Sequence, residues 1–446
     1  MSSSKLPKIR RNKEIAKELN ELSKEELIDK VVKLEAHVVQ LRNLLGKAEP
    51  RKIGINHRIH KQKKFDFTRS ARRHVLLHLA YFGWDYHGYV TQEQTQHTIE
   101  AELFQALVKT CLIEKRENSN YHRCGRTDKG VSAFGQVISI DLRSNFSEGV
   151  GIYLPEGHTL AKTNSEEIPY LSMLNRVLPR EIRVIAWSPV PVTFSARFDC
   201  IRRTYKYFFP QGDLNIERMQ EAGRFLIGEH DFRNFCKMDV GNGVVTYFRN
   251  VFELNIRIQD EDKLKPSFNL CELTIVGRAF LWHQIRSIIS VLFLVGQGKE
   301  EPRIIRDMLD VESNPRKPQY SLASELPLNL FECEYGEADW QYDVESLRLV
   351  VGQMQGMWTE NAVRASMLRE ALDKVESLPG PFFVQLTDAL PKGMNSRNKR
   401  PGFPWSRCDV YHGVSSDAFS DLLFRKLYSI RLLSFEFLDL KALFWL

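Results

Sequence analysis

Alternation between strand-like and helix-like segments is the feature that most limits what this chain can fold into. His74–Tyr81 is an apolar run of strand length, and Ile99–Cys111 is an amphipathic stretch of helix length. Farther along, Phe252–Arg257 and Asn269–Val276 follow each other as a hairpin-like pair of strands. Strands followed by helices, with such pairs among them, predict an α+β fold with mixed, largely antiparallel sheets.

The pattern occurs twice, which predicts two packed α/β sub-domains, residues 74–192 and residues 193–336. A helix is predicted after them over Asp343–Val375, and the charges that interrupt the apolar run 419–446 exclude a membrane span there. The remaining assignments are a disordered basic N-terminus over 1–22, a helix over 23–46, a basic linker over 47–73, and a helical and linker tail of unassigned role over 337–446.

The helix predicted over 23–46 carries a regular apolar stripe. Ser23 and Glu26 form a capping box ahead of it. Behind the box, apolar residues recur at alternating spacings of four and three, at Leu27, Val31, Leu34, Val38, Leu41 and Leu45. The stripe is short for an independent coiled coil, so a dimeric coiled coil, docking onto its own or a partner's domain, and a plain amphipathic helix all fit it.

Positive charge is concentrated in one stretch of the chain. Between Lys47 and Arg73 there are ten lysines and arginines against two acidic residues, and this excess of eight slightly exceeds the net charge of the whole chain, +7. A clustered charge of this kind points to nucleic acid or another acidic surface as the partner. A solvated linker is the alternative.

Cysteine usage and the N-terminal sequence bear on metal, compartment and membrane. The seven cysteines are widely spaced, with no CxxC pair and no His/Cys cluster at zinc-ligand spacing, which predicts no structural metal and a reducing compartment. The N-terminus lacks the apolar region of a secretory signal, and no uncharged apolar run reaches about 18 residues. We therefore expect an intracellular protein with no membrane segment.

A tight turn bounded by glycines presents one carboxylate among cationic side chains. Asp128 lies between Gly125 and Gly130, close in sequence to Arg126 and Lys129. Because a neighbouring arginine lowers the pKa of a carboxyl group, we expect Asp128 to have a lowered pKa and to be ionised, ready to act as a nucleophile or a base. An Asx turn that closes a hairpin is the structural alternative.

Four segments in fixed order resemble the TruA family of tRNA pseudouridine synthases, and the resemblance runs from about Arg72 to Tyr335. The segment His230–Asp239 looks more specifically like the eukaryotic branch that acts on tRNA positions 38 and 39. Two departures are Phe82, where many members carry Asp, and the long stretch Ser144–Glu167. The four segments are His78–Tyr89, Arg123–Val131, Phe194–Arg197 followed by Tyr205–Tyr207, and Gly277–Arg286.

The resemblance implies an isomerase that converts uridine to pseudouridine without a cofactor or a metal. Asp128 matches the catalytic aspartate of the family, either attacking the ribose or acting as a base toward it. Arg286 matches the arginine that pairs with this aspartate through a bidentate contact, with a helix-surface arginine as the alternative. Tyr205 matches the tyrosine that stacks on the target uracil and relays a proton, although a core role, as for Tyr207, competes with this.

Further positions follow from the same resemblance. Arg126 helps to displace the target base from its stack, or clamps a phosphate, and Leu328 lines the uracil site, or packs in the core. The resemblance also implies a homodimer with a central RNA-binding cleft and the tRNA anticodon stem-loop as substrate. We expect the protein in the nucleus and the cytoplasm, with the basic segment from Lys5 to Lys13 as a candidate nuclear-localisation patch. The candidates for contact with the RNA backbone are Arg123, Lys129, Arg197, Arg202, Arg203, Lys63 and Lys64. The alternatives are a non-catalytic RNA-binding or chaperone protein on the same scaffold, and a synthase for other tRNA or mRNA positions.

Overall fold

The fold is described from a computed structural model of the chain. The described residues are 65–378, apart from 94, 159–165, 239–243, 260, 264–265 and 337. The helix predicted over 23–46, the linker up to residue 64 with Lys63 and Lys64, and the tail from residue 379 lie outside the described residues.

Ten strands of the described region form one sheet with the spatial order β4-β1-β3-β10-β6-β9-β8-β7, in which β5 also pairs with β1 and β2 with β3. The pairs are antiparallel except for that between β3 and β10. This large mixed sheet confirms the predicted mixed, largely antiparallel architecture. The strands are β1 (Ala71–Tyr81), β2 (His122–Arg123), β3 (Ser132–Ser144), β4 (Ile152–Tyr153), β5 (Ile182–Pro189), β6 (Arg202–Pro210), β7 (Gly228–Asp231), β8 (Phe248–Ile258), β9 (Leu270–Gly277) and β10 (Leu328–Glu334).

Strand β10 is the element that makes the sheet continuous. It pairs in parallel with β3 through Asn329 and Leu330, and antiparallel with β6 along its length. The side chain of Asn329 also accepts a hydrogen bond from the backbone N–H of Phe134 on β3, at 3.2 Å. Strands from both sides of the predicted boundary at residue 193 therefore meet here, while the sub-domain limits themselves stay a prediction.

Six α-helices lie among the described residues. Helix α1 begins at the cap Thr98, whose side chain accepts from the Ala101 N–H, and its buried face includes Leu103 and Leu107. Helix α4 is buried on nearly every side, as its sequence QIRSIISVLFLVG predicts. The helices are α1 (Ile99–Lys109), α2 (Tyr170–Asn175), α3 (Ile216–Arg224), α4 (Gln284–Gly296), α5 (Ile304–Leu309) and α6 (Val344–Glu376).

The last helix, α6, has a different character. The helix predicted over Asp343–Val375 is confirmed within one residue at each end, and Asp343 caps it by accepting from the Ser346 N–H. Along its 33 residues only Ser346 and Val350 are buried. Of the helices in the described part of the chain, none is long and apolar enough to cross a membrane.

Candidate active site

The turn that carries Asp128 joins β2 to β3 and is held by the end of β1 and the residues after it. The hydroxyl of Tyr81 contacts the Thr127 hydroxyl at 2.8 Å, and the Tyr89 N–H donates to the Thr127 carbonyl at 3.1 Å. The Gly130 N–H donates to the Tyr86 carbonyl at 3.1 Å. Two of the four segments in the resemblance, His78–Tyr89 and Arg123–Val131, are therefore one structural unit.

Gly88 is a point of close approach between these two segments. Its φ angle is +97°, and a Cβ atom there would lie 3.1 Å from the Thr127 carbonyl oxygen and 3.2 Å from the Lys129 nitrogen. A left-handed backbone and a close approach both favour glycine at this position. The backbone at Gly88 therefore supports the turn of Asp128 only with a glycine at this position.

Three side chains at the start of α4 surround the carboxylate of Asp128. The Trp282 Nε1–H donates to Oδ1 at 3.0 Å, His283 Nε2 lies 3.4 Å from Oδ2, and Arg286 Nη1 lies 3.8 Å from Oδ2. The positive end of the helix macrodipole is on the same side. The structure thus brings the predicted pair Asp128 and Arg286 together across 158 positions of sequence.

The contact between Arg286 and Asp128 is not bidentate, which corrects the prediction. Arg286 Nε donates to the Ala323 carbonyl at 2.7 Å, and Nη2 pairs with Glu325 Oε2 at 2.7 Å. Because these two bonds occupy most of the guanidinium, Nη1 is the nitrogen that faces Asp128. The prediction that Arg286 lies on a buried helix is confirmed, since its side chain is 7% exposed.

The pKa of Asp128 differs in direction from the expectation. Burial raises it above the usual value, and the opposing influences of Arg286, the Trp282 hydrogen bond, Arg126 and Lys237 do not fully offset that effect. The expectation of a lowered pKa was wrong because the sequence showed the cationic neighbours but not the desolvation. A raised pKa at a carboxyl inside a ring of cationic and N–H donors is typical of functional sites.

His283 supplies a neutral neighbour to the carboxylate. Burial, together with the charges of Arg286, Lys237 and Lys317, lowers its pKa to about 3. The imidazole is therefore uncharged near neutral pH, and it faces Asp128 as a dipole rather than as a cation. The residue adopts φ +62° at the N-cap of α4, which turns the chain so that Trp282 and His283 both reach the turn.

Tyr205 lies beneath the same turn on β6. Its ring packs edge-on against Phe280 with centroids 5.3 Å apart, and a Cβ atom on Gly125 would lie 4.0 Å from its hydroxyl. Burial raises the pKa of Tyr205 far above neutrality, so the hydroxyl is protonated. Tyr207 on the same strand face packs on Phe293 instead, at 6.1 Å between centroids.

Leu328 and Arg126 lie on different sides of this arrangement. Leu328 is buried at the start of β10, in register with Tyr207, and the next inward residue, Leu330, pairs with Tyr205. Arg126 is exposed on the turn, as is Lys129. Leu328 is therefore buried on the strand next to the one that carries Tyr205. Arg126, in contrast, extends from the turn toward solvent.

The remaining candidates for RNA contact fall into two groups. Arg197 is exposed, with its guanidinium 5.3 Å from the Phe198 ring. Arg123 pairs with buried Glu100 at 2.9 Å, and Arg202 pairs with Glu334 at 2.6 Å. Arg203 is buried and donates to the backbone carbonyls of Cys124, Arg197 and Arg278, so it holds the turn against β6 rather than facing solvent.

Sequence reasoning did not assign four residues of the site. Trp282 and His283 lie inside the segment Gly277–Arg286, so the resemblance could have pointed to them. Lys237 lies in His230–Asp239, and its Nζ is 4.2 Å from the centroid of the Trp282 ring. Glu325 has no signal in the sequence, because only the fold brings it to Arg286.

Comparisons with known proteins agree with this geometry. The profile of a family described as "tRNA pseudouridine synthase" matches residues 222–336. The chain is 46% identical over 369 residues to the "tRNA pseudouridine(38/39) synthase" of Homo sapiens, covering 78% of this chain and 77% of that one. It is 40% identical over 285 residues to the protein of that name from Saccharomyces cerevisiae, covering 63% and 61%.

A more distant relative also matches. The chain is 30% identical over 299 residues to "tRNA pseudouridine synthase A" of Methanosarcina barkeri, which covers 67% of this chain and 98% of that one. The match therefore spans nearly the whole of a shorter protein and two thirds of this chain. On these matches and the geometry around Asp128, the chain belongs to the TruA-type family of tRNA pseudouridine synthases.

Proposed function

We propose that this protein isomerises uridine to pseudouridine in the anticodon stem-loop of tRNA, at positions 38 and 39. The observation that carries the proposal is the carboxylate of Asp128 within reach of Trp282, His283 and Arg286, with Tyr205 beneath the same turn. The names of the relatives at 40–46% identity supply the positions.

The reaction breaks one bond and forms another on the same nucleoside. The glycosidic bond between N1 and C1′ breaks, the uracil rotates, and a bond forms between C5 and C1′. The proton on C5 then leaves, and N1 gains a proton, so no atom is lost overall and no redox partner is needed. The site must therefore supply a carboxylate, a proton relay and a closed space that retains the free base.

Asp128 supplies the carboxylate, either by attack on C1′ or as a base toward the ribose. Arg286, fixed by Ala323 and Glu325, and the Nε1–H of Trp282 orient it without neutralising it. The protonated hydroxyl of Tyr205 is placed for the late proton transfer at C5 or N1, and its ring for stacking on the base.

Exposed basic side chains near Asp128 suit the displacement of the target base from its stack in the RNA. Arg126 extends from the turn two residues before Asp128, where a guanidinium can take the place of the displaced base. Lys129 is exposed on the same turn, and Arg197 is exposed shortly before β6 in the sequence. Both side chains suit contacts with phosphates. The basic stretch from Lys47 adds charge of the same sign.

Chemical mapping of pseudouridine tests this proposal. A tRNA transcript with uridine at positions 38 and 39 is incubated with the full chain, treated with carbodiimide and reverse transcribed. We expect stops one nucleotide 3′ of positions 38 and 39, each abolished in a matched transcript that carries cytidine at that position. Stops at other positions only, or RNA binding without any stop, would contradict the proposal and favour a different synthase or a non-catalytic RNA-binding protein.

We also propose that the protein acts as a homodimer whose contacts include the apolar face of α6. Several exposed apolar residues of this helix lie toward one side of it, because they are separated by seven, ten, four and three positions: Val351, Trp358, Leu368, Leu372 and Val375. The stripe of residues 27–45 is a second candidate for self-association as a coiled coil. Light scattering of the full parent chain is expected to give the mass of two chains. The double variant Trp358→Glu, Leu368→Glu is expected to give the mass of one chain. A parent chain with the mass of one chain would contradict the proposal.

For location, we propose both nucleus and cytoplasm. Basic residues at Lys5, Lys8, Arg10 and Arg11 are of the kind that import receptors read. A fluorescent fusion is expected in both compartments, with the nuclear share lost when these four are changed to Ala. Exclusion of the parent fusion from either compartment would contradict the assignment.

A further inference from the structure

Three cysteines from distant parts of the chain meet beneath the catalytic turn. The Sγ atoms of Cys124, Cys200 and Cys333 all lie within 4.8 Å of one another, and each residue is buried, between 4% and 8% exposed. In sequence they are 76 and 133 positions apart, so the spacing rule that predicted no metal site could not detect them. The cluster is a product of the fold.

The surroundings of the cluster suit a negative charge. Arg203 is buried beside it, with its Nη2 donating to the Cys124 carbonyl at 3.1 Å. Tyr335 is also buried there, with its hydroxyl donating to the Ala196 carbonyl at 2.6 Å. The Arg203 guanidinium donates to carbonyl oxygens, which leave its charge uncancelled, so a negative charge beside it is favourable. Among the described residues, no carboxylate joins the three thiols in the cluster.

We propose that Cys124, Cys200 and Cys333 bind one thiophilic divalent ion, with Zn²⁺ as the natural occupant. Three thiolates and Zn²⁺ carry a net charge of −1, which the guanidinium of Arg203 balances. Sulfurs around Zn²⁺ at about 2.3 Å stand roughly 3.8 Å apart, so the three Sγ atoms need to approach by about 1 Å or less. The fourth tetrahedral position falls to a water molecule.

Such an ion would hold three parts of the site at fixed positions relative to one another. Cys124 is four residues before Asp128, Cys200 lies just before β6 with Tyr205, and Cys333 is on β10. The metal would act as a positioning centre rather than a reactant, because it lies under the turn and not beside the carboxylate. This site goes beyond the isomerase reaction, which itself uses no metal.

Metal analysis of the intact protein tests the site. The full chain is purified with reductant and a small excess of Zn²⁺, passed through a chelating resin, and measured by mass spectrometry of the elements. We expect about one equivalent of zinc per chain, released by an organomercurial that blocks thiols. Exchange for Co²⁺ is expected to give a sulfur-to-cobalt charge-transfer band with the visible bands of tetrahedral Co²⁺.

Variants separate this cluster from other cysteines. Cys200→Ser and Cys333→Ser are each expected to lose at least nine-tenths of the zinc, whereas Cys271→Ala, at a buried cysteine outside the cluster, keeps it. The cobalt spectrum is recorded on the parent chain, so the proposal can be tested even if the cysteine variants do not fold. A parent chain without zinc and without the charge-transfer band, or one with a disulfide within the cluster, would overturn the proposal.

Discussion

Arg286 Nη1 lies 3.8 Å from Asp128 Oδ2, while two other nitrogens of the same guanidinium are bonded to Ala323 and Glu325 at 2.7 Å. The arginine is therefore anchored first to the loop before β10 and only then to the carboxylate. This order makes Arg286 a support that holds charge at a fixed place, so its shape matters as much as its charge.

Replacement of Arg286 by lysine separates shape from charge. A lysine keeps the positive charge but cannot make both anchoring bonds, so we expect the free energy of unfolding to fall by about 2–4 kcal/mol. We expect single-turnover pseudouridine formation to fall by about 100-fold, because the carboxylate loses its alignment. Arg257→Lys, at an exposed arginine paired with Glu272, is the control and should change stability by less than about 1 kcal/mol. Equal effects of the two substitutions would contradict the anchoring role.

The pH profile of the single-turnover rate should report the raised pKa of Asp128. Only the carboxylate form can react, so the rate falls as the pH drops through a pKa that burial holds above the usual aspartate value. Trp282→Phe removes a hydrogen bond that lowers this pKa, and should move the acid limb to still higher pH. Trp358→Phe, at an exposed position on α6, should leave the limb in place. If Trp282→Phe does not move the acid limb, this limb does not report the pKa of Asp128.

The same pKa predicts an effect on stability. Because the pKa of Asp128 is higher in the folded than in the unfolded chain, the folded state binds more protons between the two values, and stability falls as the pH rises through that window. At neutral pH the ionised carboxylate therefore destabilises the fold. Asp128→Asn is expected to raise the melting temperature at pH 7, measured by calorimetry, and this difference should vanish below both pKa values. A lowered melting temperature at pH 7 would contradict the direction.

Tyr205 is predicted to act through both its ring and its hydroxyl. Tyr205→Phe keeps the ring, so tRNA affinity should stay within about two-fold, while the rate should fall by about 10²–10⁴-fold because the proton relay is lost. Tyr207→Phe, on the same face of β6 but packed on Phe293, should change the rate little. If both substitutions lower the rate alike, packing rather than proton transfer explains Tyr205.

Gly88 offers a test of the support beneath the catalytic turn. Gly88→Ala places a Cβ atom 3.1 Å from the Thr127 carbonyl in a left-handed backbone, and should lower stability by about 1–2 kcal/mol and also the rate. Gly298→Ala has a φ of +68° with no atom within 4 Å of the added Cβ, so it should share the loss of stability without the loss of rate. Loss of rate in both variants would assign it to general destabilisation.

Several elements could be predicted because their signals are local. Strand β9, predicted over Asn269–Val276, and α6 each agree with their predicted bounds within one residue at each end, because apolar periodicity marks the strand and a cap marks the helix. Strand β10 was not predicted as a strand, although it joins β3 to β6, because its seven residues show no clean alternation. Its place depends on partners more than 100 positions away.

The features of the site also divide into those that the sequence predicts and those that it does not. The sequence indicated Asp128 through its turn, and the resemblance pointed to Tyr205 and Arg286. The sequence could not predict Glu325 as an anchor, the desolvation that raises the pKa of Asp128, or the meeting of Cys124 with two distant cysteines. These are properties of burial and of distance across the fold, which no local pattern encodes.

We propose that Asp128 performs the isomerisation, and release of tritium from C5 of the target uridine measures this role directly. A tRNA transcript labelled at C5 is incubated with the parent chain and with Asp128→Asn under single-turnover conditions, with binding checked by filter retention. We expect stoichiometric tritium release by the parent chain and none by Asp128→Asn, with tRNA affinity within a few-fold of the parent. Tritium release by folded Asp128→Asn at a rate near that of the parent would contradict it.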